Sequence, residues 1–292
     1  MAQLIAALPG GYVLRDGFRT AQGWLNYQRF RRLQKMLAHP ALRKLSLRHG
    51  RLAYKYLVPS LVAGLSRSQR LAVMLHHYES ILHHLRPAFF DWVLQEHGIW
   101  QAQSETNQFS ITLAYPFESD FEGELSVVFR VDNTPVYTIS FTLAPGWVLH
   151  AAAPTVLLVS RVQGTKNFAL IKQATKSLHD STPAALLMQA VYGIALAGNI
   201  PLILGIGTAA QISRTKADNQ FDYDGFWQQF GATLVAGGLF LLPLPVLEKP
   251  IETVKANHRA RTLRKRQYKH EVRVSIQQYV THHLLAEARA AL

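Results

Sequence analysis

Apolar residues recur at spacings of three and four along the first hundred residues, which predicts helices there. RTAQGWLNYQRFRRLQKML reads as one helix. SRSQRLAVMLHHYESILHHL reads as a second, with Leu71, Met74, Tyr78, Ile81 and Leu85 along one stripe. Ser66 or Ser68 is placed to cap the second helix, and Pro87 lies just past its end. Between them Tyr54 to Leu65 is an apolar connection containing Pro59 and Gly64.

Near residue 105 the period changes. NQFSITLAYPF, GELSVVFRVD, PVYTISFTLAPG and PTVLLVSRVQG are short runs rich in Val, Ile, Phe and Thr, bounded by Gly, Asp, Asn and Pro. They predict an antiparallel meander with a hairpin turning at Asp132-Asn133-Thr134-Pro135. NFALIKQATKSLHD then predicts an amphipathic, basic helix. A second helix, PAALLMQAVYGIALAG, has Ser181-Thr182 as candidate caps and Pro183 in its first turn.

Residues 186–207, LLMQAVYGIALAGNIPLILGIG, carry no charge and raise the question of a membrane span. A span needs about 20 continuous helical residues. Gly198-Asn199 and Pro201 interrupt this one, so it reads as a buried helix followed by a buried strand. GATLVAGGLFLLPLPVL, broken by Gly237, Gly238, Pro243 and Pro245, reads as one or two buried strands. From residue 251 onward the chain is helical in propensity. The expected architecture is α+β: a basic helical region over residues 1–100, then a mixed, mainly antiparallel sheet with flanking helices and a basic C-terminal helix over residues 101–292.

Charge sharpens this picture. The 292 residues hold 31 Lys and Arg against 18 Asp and Glu, a net of +13. Residues 1–78 carry 13 of the bases against Asp16 alone, and residues 255–273 carry 8 against Glu271. Two basic ends flanking a balanced centre suit a polyanion: nucleic acid, an anionic membrane surface, or a phosphorylated cofactor. There is no cysteine, which excludes disulfides, thiolate metal sites and Cys nucleophiles. No basic segment precedes the first apolar run, so the chain reads as cytoplasmic, with peripheral attachment to the inner membrane as an extension of that reading.

Several catalytic signatures are absent: GxSxG, the P-loop and GxGxxG. His76, His77, His83 and His84 lack the i, i+4 pairing of helical zinc sites, and polar surface or one buried, hydrogen-bonded His explains them better. Carboxylates are few: Glu79, Glu96, Glu105, Glu118, Asp120, Glu122 and Glu124, then Asp180, Asp218, Asp222 and Asp224. QFDYDGFWQQFG is the most distinctive segment. Its aromatics at helical spacing suit a core stripe with Asp222 or Asp224 as N-cap. In the functional alternative Tyr223 or an aspartate faces a substrate cleft.

LHHYESILHHL (75–85), LLVSRVQGTKN (157–167), FDYDGFW (221–227) and NHRARTLRKR (257–266) together resemble the VirK/YbjX family. That resemblance implies a context of virulence and resistance to cationic peptides and no defined reaction. Residues 123–231 also resemble the plan of the GNAT superfamily of N-acetyltransferases. STPAALLMQAVYGIALAGNIPLILGIG is similar to its phosphate-binding helix, turn and next strand, and YDGFWQQFG to its Tyr-bearing helix ending in Phe-Gly. The glycine-rich Q/RxxGxG/A loop is missing from KSLHDSTP. Arg161-Val162-Gln163-Gly164 matches half of it one helix earlier.

The second resemblance implies an acyl- or aminoacyl-transferase acting on an amine or hydroxyl of an envelope-related or other polar acceptor. Its donor would be an acyl-CoA, an acyl carrier protein or an aminoacyl-tRNA. It implies a donor site at Ser181, Thr182 and Lys176, with Val159, Arg161, Gln163 and Gly164 along the strand. It also implies Tyr223 as acid and Glu124 or Asp222 as base, and no metal. Two other readings rest on the basic ends. In one, helices over 15–55 and 255–273 bind anionic lipid, with Trp24, Tyr27 and Phe30 interfacial. In the other they bind tRNA or another nucleic acid.

Overall fold

The computed structural model describes residues 27–212 and 221–286. Asp16, Trp24 and Asp218 lie outside them. The helical region runs through α1 (Tyr27–Leu37), α2 (Arg43–Arg48), α3 (Arg67–His84) and α4 (Phe89–Leu94). Ser66 caps α3 in a reciprocal box with Gln69, which satisfies two backbone donors at once. The expectation of helix up to residue 100 is corrected at its end, because Gly98–Gln103 is already a strand, β1.

The following strands are β2 (Gln108–Ala114), β3 (Leu125–Val131), β4 (Thr134–Pro145) and β5 (Thr155–Gly164). Asp132 and Asn133 both take positive φ, 47° and 65°, the two-residue turn whose twist suits a hairpin. Next come α5 (Phe168–Ser177), α6 (Pro183–Ala197), β6 (Leu202–Ile206) and α7 (Tyr223–Gln229). Then follow β7 (Thr233–Val235), β8 (Leu239–Pro243) and α8 (Ala256–Tyr279). One π-helical turn, Val280–Leu284, ends α8. That turn was not foreseen in a segment expected to be regular helix.

The sheet order is β1-β2-β3-β4-β5-β6-β8-β7. Every pairing is antiparallel except β5 with β6, the step crossed by α5 and α6. This is the mixed, mainly antiparallel α+β arrangement expected from the sequence. Where one or two buried strands were expected in the second uncharged stretch, β8 is buried, but β7 is an edge strand with Leu234 61% exposed.

The stretch 186–207 folds as helix and strand. Asn199, not Gly198, adopts the left-handed conformation (φ 52°) that ends α6, and Thr182 caps its start. α6 is apolar nearly all round because the sheet covers one side and α8 the other. At Gly193 a β-carbon would lie 2.8 Å from the Arg273 carbonyl oxygen, so glycine is what lets α8 approach. Among the described residues no helix is long and apolar enough to cross a membrane. The helical region and the sheet share one core, running from Leu33 and Tyr78 through Phe129 and Ile139 to Ile276.

Candidate functional site at the parting of two strands

β5 and β6 are paired only over Leu157–Val159 and Ile203–Gly205, and beyond that point β5 continues without its parallel neighbour. At the same point β5 bulges. Phe141 of β4 opposes Val159 and Ser140 opposes Arg161, so Ser160 is the extra residue. A bulge bends its strand and re-aims the side chains around it, and such irregularities gather near active sites.

α7 is held against this opening by Trp227. A β-carbon on Gly205 would fall 1.8 Å from the Trp227 ring, and the indole Nε1 donates to the Ile206 carbonyl at 2.9 Å. Tyr223, one turn earlier on the same face, is thereby directed at β5. Its hydroxyl oxygen accepts a hydrogen bond from the Val162 backbone N–H at 3.3 Å. Burial pushes the Tyr223 hydroxyl up to about 12; the Val162 bond and Arg161 oppose that rise, and Glu122 adds to it. At neutral pH it therefore keeps its proton.

The groups around it come from β5 and the loop before β3. Arg161 Nε is 3.0 Å from a Glu122 carboxylate oxygen, and the same guanidinium donates to Ser119 and to Gln163. Ser160 Oγ donates to the Glu122 carbonyl at 2.6 Å. A strap from the helical region joins the two lips of the opening: Leu61 N–H donates to the Phe121 carbonyl (2.7 Å) and Ala63 N–H to the Ala210 carbonyl (2.8 Å). Gly164 sits against the Tyr137 ring, where a β-carbon would come within 2.5 Å of it. Val159 is buried.

Of the two carboxylates named as candidate bases, Asp222 caps α7, accepting from Gly225 N–H at 2.8 Å. Glu124 is 1% exposed and is bound by Lys55 Nζ (2.8 Å) and the Tyr78 hydroxyl (2.6 Å). The acidic group that acts on Tyr223 is Glu122. Sequence spacing had included it among the carboxylates without selecting it.

The donor-site residues divide into two groups. Val159, Arg161, Gln163 and Gly164 lie on β5, whereas Lys176 is in the last turn of α5 and Ser181 and Thr182 follow that helix. Gln173 of α5 is bonded to Asn107 in the β1–β2 turn, and among the described residues no hydrogen bond or ion pair links the two groups. Thr182 spends its hydroxyl on the Ala185 N–H, and Lys176 is exposed. Ser181 Oγ is buried with no partner among the described residues. Asp180 pairs with Arg261 of α8 at 2.8 Å, and Arg264 and Lys265 also hold its carboxyl below the usual range.

A buried polar cluster, invisible in the sequence, lies beneath the strap. His49 and Asp120 are 2.8 Å apart, close to the Lys55–Glu124 pair. His77 is the buried histidine of the 76–84 group: its Nδ1 accepts from Leu143 N–H at 3.1 Å. No three His, Cys, Asp or Glu side chains converge as for a metal among the described residues.

A family model described as "Protein of unknown function (DUF535)" matches residues 18–278. The chain belongs to the DUF535 family. The protein named YbjX of Escherichia coli (strain K12) is 27% identical over 238 residues, covering 77% of this chain and 71% of that one. Together these findings support the VirK/YbjX resemblance. A Haemophilus influenzae protein is 28% identical over 180 residues, covering 59% of this chain and 58% of its own length. Among solved structures, a mutant of a cAMP-binding acyltransferase from Mycobacterium smegmatis aligns at a TM-score of 0.30 and 12% identity, over 74% of this chain and 63% of that one. The chain therefore spans less than two thirds of each of these last two proteins.

Proposed function

We propose that this DUF535 protein is an acyl- or aminoacyl-transferase working where β5 and β6 part. The observation that carries the reading is the protonated Tyr223 hydroxyl held on the Val162 N–H beside the Ser160 bulge. An acceptor amine attacks the carbonyl carbon of a thioester or ester. The C–N bond forms and the C–S or C–O bond breaks. Tyr223 passes its proton to the leaving sulfur or oxygen, and Glu122 takes the proton lost by the amine. Val162 N–H, freed as Tyr223 turns to the leaving group, donates to the developing oxyanion.

The donor is read as the thioester or ester of a polyanionic carrier. The glycine-rich loop that would cradle a pyrophosphate is absent, and the Thr182 hydroxyl is spent on its own helix. This fits acyl carrier protein or charged tRNA better than acyl-CoA. Lys176, Arg261, Arg264 and Lys265 supply the positive charge for such a carrier. An envelope-related acceptor would connect the activity with cationic-peptide resistance by altering surface charge.

A second reading is favoured by α8. Its first sixteen residues bury no side chain, and the exposed ones include Arg259, Arg261 and Arg264. Such a helix suits the anionic inner face of a membrane at about 1 kcal/mol per basic residue.

Native mass spectrometry with acyl-CoAs, acyl carrier proteins and charged tRNAs tests the donor, followed by transfer to an amine. One donor class is expected to bind and react, and Tyr223→Phe to lose transfer by about a hundredfold or more while still binding it. Failure of all three classes to bind overturns the transferase reading. Flotation with anionic vesicles that weakens with salt would then favour the membrane one.

A further inference from the structure

At the other end of β5 lies a second, unrelated opening. Thr155 is seven residues from Val162, roughly 20 Å along an extended strand. Here the ends of α3 and α6, the sheet and the π-turn enclose a part-open cavity of about 420 Å³. Its walls are apolar, formed by residues such as Ile81, Phe141, Leu143, Ile194, Val280 and Leu284. That volume lies within the ~300–1,000 Å³ range of small-molecule sites, and a mainly apolar lining suits an apolar guest.

The rim has the opposite character. A smaller neighbouring pocket sharing Phe89 and Leu284 is lined by Arg86, Trp92 and His283, and His84 lines the main cavity. Among the described residues no carboxylate lines either pocket. Arg86 is fixed in place, donating through Nε to the Leu285 carbonyl (3.1 Å) and through Nη2 to the His282 carbonyl (3.0 Å). Its Nη1 has no hydrogen-bond partner among the described residues.

The wall itself is unusual. α8 ends in a π-turn stitched to the end of α3, with Arg86 N–H donating to the Leu284 carbonyl and Ala286 N–H to the His84 carbonyl, each at 2.9 Å. π-turns are rare and concentrate at functional sites. This one turns Val280 and Leu284 into the cavity while presenting carbonyls that hold Arg86.

We propose that this cavity binds the hydrocarbon chain of a single-chain anionic amphiphile, a fatty acid or its equivalent, with the carboxylate at Arg86 and His84. An apolar interior fixes the chain, and the Arg86 guanidinium beside it selects the sign of the head group. The site is separate from the strand-parting cleft and does not depend on transferase activity.

The test is calorimetric titration of the full chain with octanoate, decanoate and dodecanoate below their micelle concentrations. Dodecanol, dodecyltrimethylammonium and anionic phospholipid vesicles serve as controls. One carboxylate is expected to bind per chain, about fourfold tighter per added methylene until the cavity is full. Dodecyltrimethylammonium should bind at least tenfold more weakly. Arg86→Gln should weaken dodecanoate about tenfold and leave dodecanol unchanged. Ile194→Trp, which fills the cavity, should abolish both, with circular dichroism checking that it folds. If Ile194→Trp does not fold, the chain-length series and Arg86→Gln decide. No carboxylate binding, affinity independent of chain length, equal binding of the cationic control, or uptake only from vesicles overturns the proposal.

Discussion

Lys55 Nζ and Glu124 Oε1 lie 2.8 Å apart with both side chains about 1% exposed, so a buried ion pair ties the helical region to the start of β3. Lys55 also donates to the Gly123 carbonyl at 3.1 Å, and Tyr78 donates to the other Glu124 oxygen. A charge removed from water is tolerated when its partner and hydrogen bonds are in place, and becomes costly when one is taken away. Lys55→Met is therefore expected to destabilise the fold by about 3–5 kcal/mol in urea unfolding. Adding Glu124→Gln to Lys55→Met should recover part of the loss, because the neutral amide still accepts from Tyr78. An unchanged or lower midpoint in the double variant would show that the pair is not the source of the cost.

The second prediction concerns acid. His77 is fully buried, and desolvation, with Lys55 and His76 adding to it, holds its imidazole well below the ordinary 6.5. His49 and His76 are lowered as well, desolvation leading in each. Below about pH 6.5 the unfolded chain takes up a proton at these positions that the folded chain refuses, so the unfolded state binds more protons. The stability they contribute is complete above that pH and falls as pH drops toward the folded value. The slope is about 1.4 kcal/mol per pH unit for each proton. Unfolding midpoints measured from pH 8 to pH 5 should decline accordingly. His77→Asn keeps an acceptor for Leu143 N–H and should flatten that decline by the share of one group.

What the sequence revealed and what it concealed follow from range. Ser66 with Gln69, Thr182 with Pro183, Asp132 with Asn133 and Gly198 with Asn199 act within four residues, and these signals marked the observed boundaries. Strand β1 was missed because GIWQAQ is short and only Ile99 and Trp100 in it favour a strand. The π-turn and the Ser160 bulge are single-residue irregularities with no residue type of their own. In the candidate site, Tyr223 was legible from its bracketing aspartates. Its relation to Val162 is not, because it depends on a strand 61 residues away. Lys55–Glu124 and His49–Asp120 join positions about seventy residues apart, beyond any periodicity.

The third prediction tests what positions Tyr223. The missing side chain of Gly205 leaves space for the Trp227 ring, whose nitrogen is bonded to Ile206. Gly205→Ala should displace α7 and destabilise the fold by about 1–3 kcal/mol, the usual cost of overpacking. Trp227 should also shift its fluorescence as the ring leaves its buried seat. Wild-type stability and emission would show that the contact relaxes without moving the helix.

The last prediction separates charge from shape at α8. Asp180 is the acid paired with Arg261, amid Arg264 and Lys265, and both partners of the pair are largely exposed. Exposed pairs add little to stability, so Asp180→Asn should leave the unfolding midpoint nearly unchanged. It removes a negative charge from the place where a polyanion would meet α8, and it releases the guanidinium. Elution from heparin should therefore move to higher salt. Arg261→Glu with Arg264→Glu should move it to lower salt, because fewer counterions are released on binding. If both variants elute with wild type, the first half of α8 is a solvated face and the polyanion is held elsewhere. If Asp180→Asn alone has no effect while the double variant does, Asp180 lies outside the footprint and the basic face of α8 carries the contact.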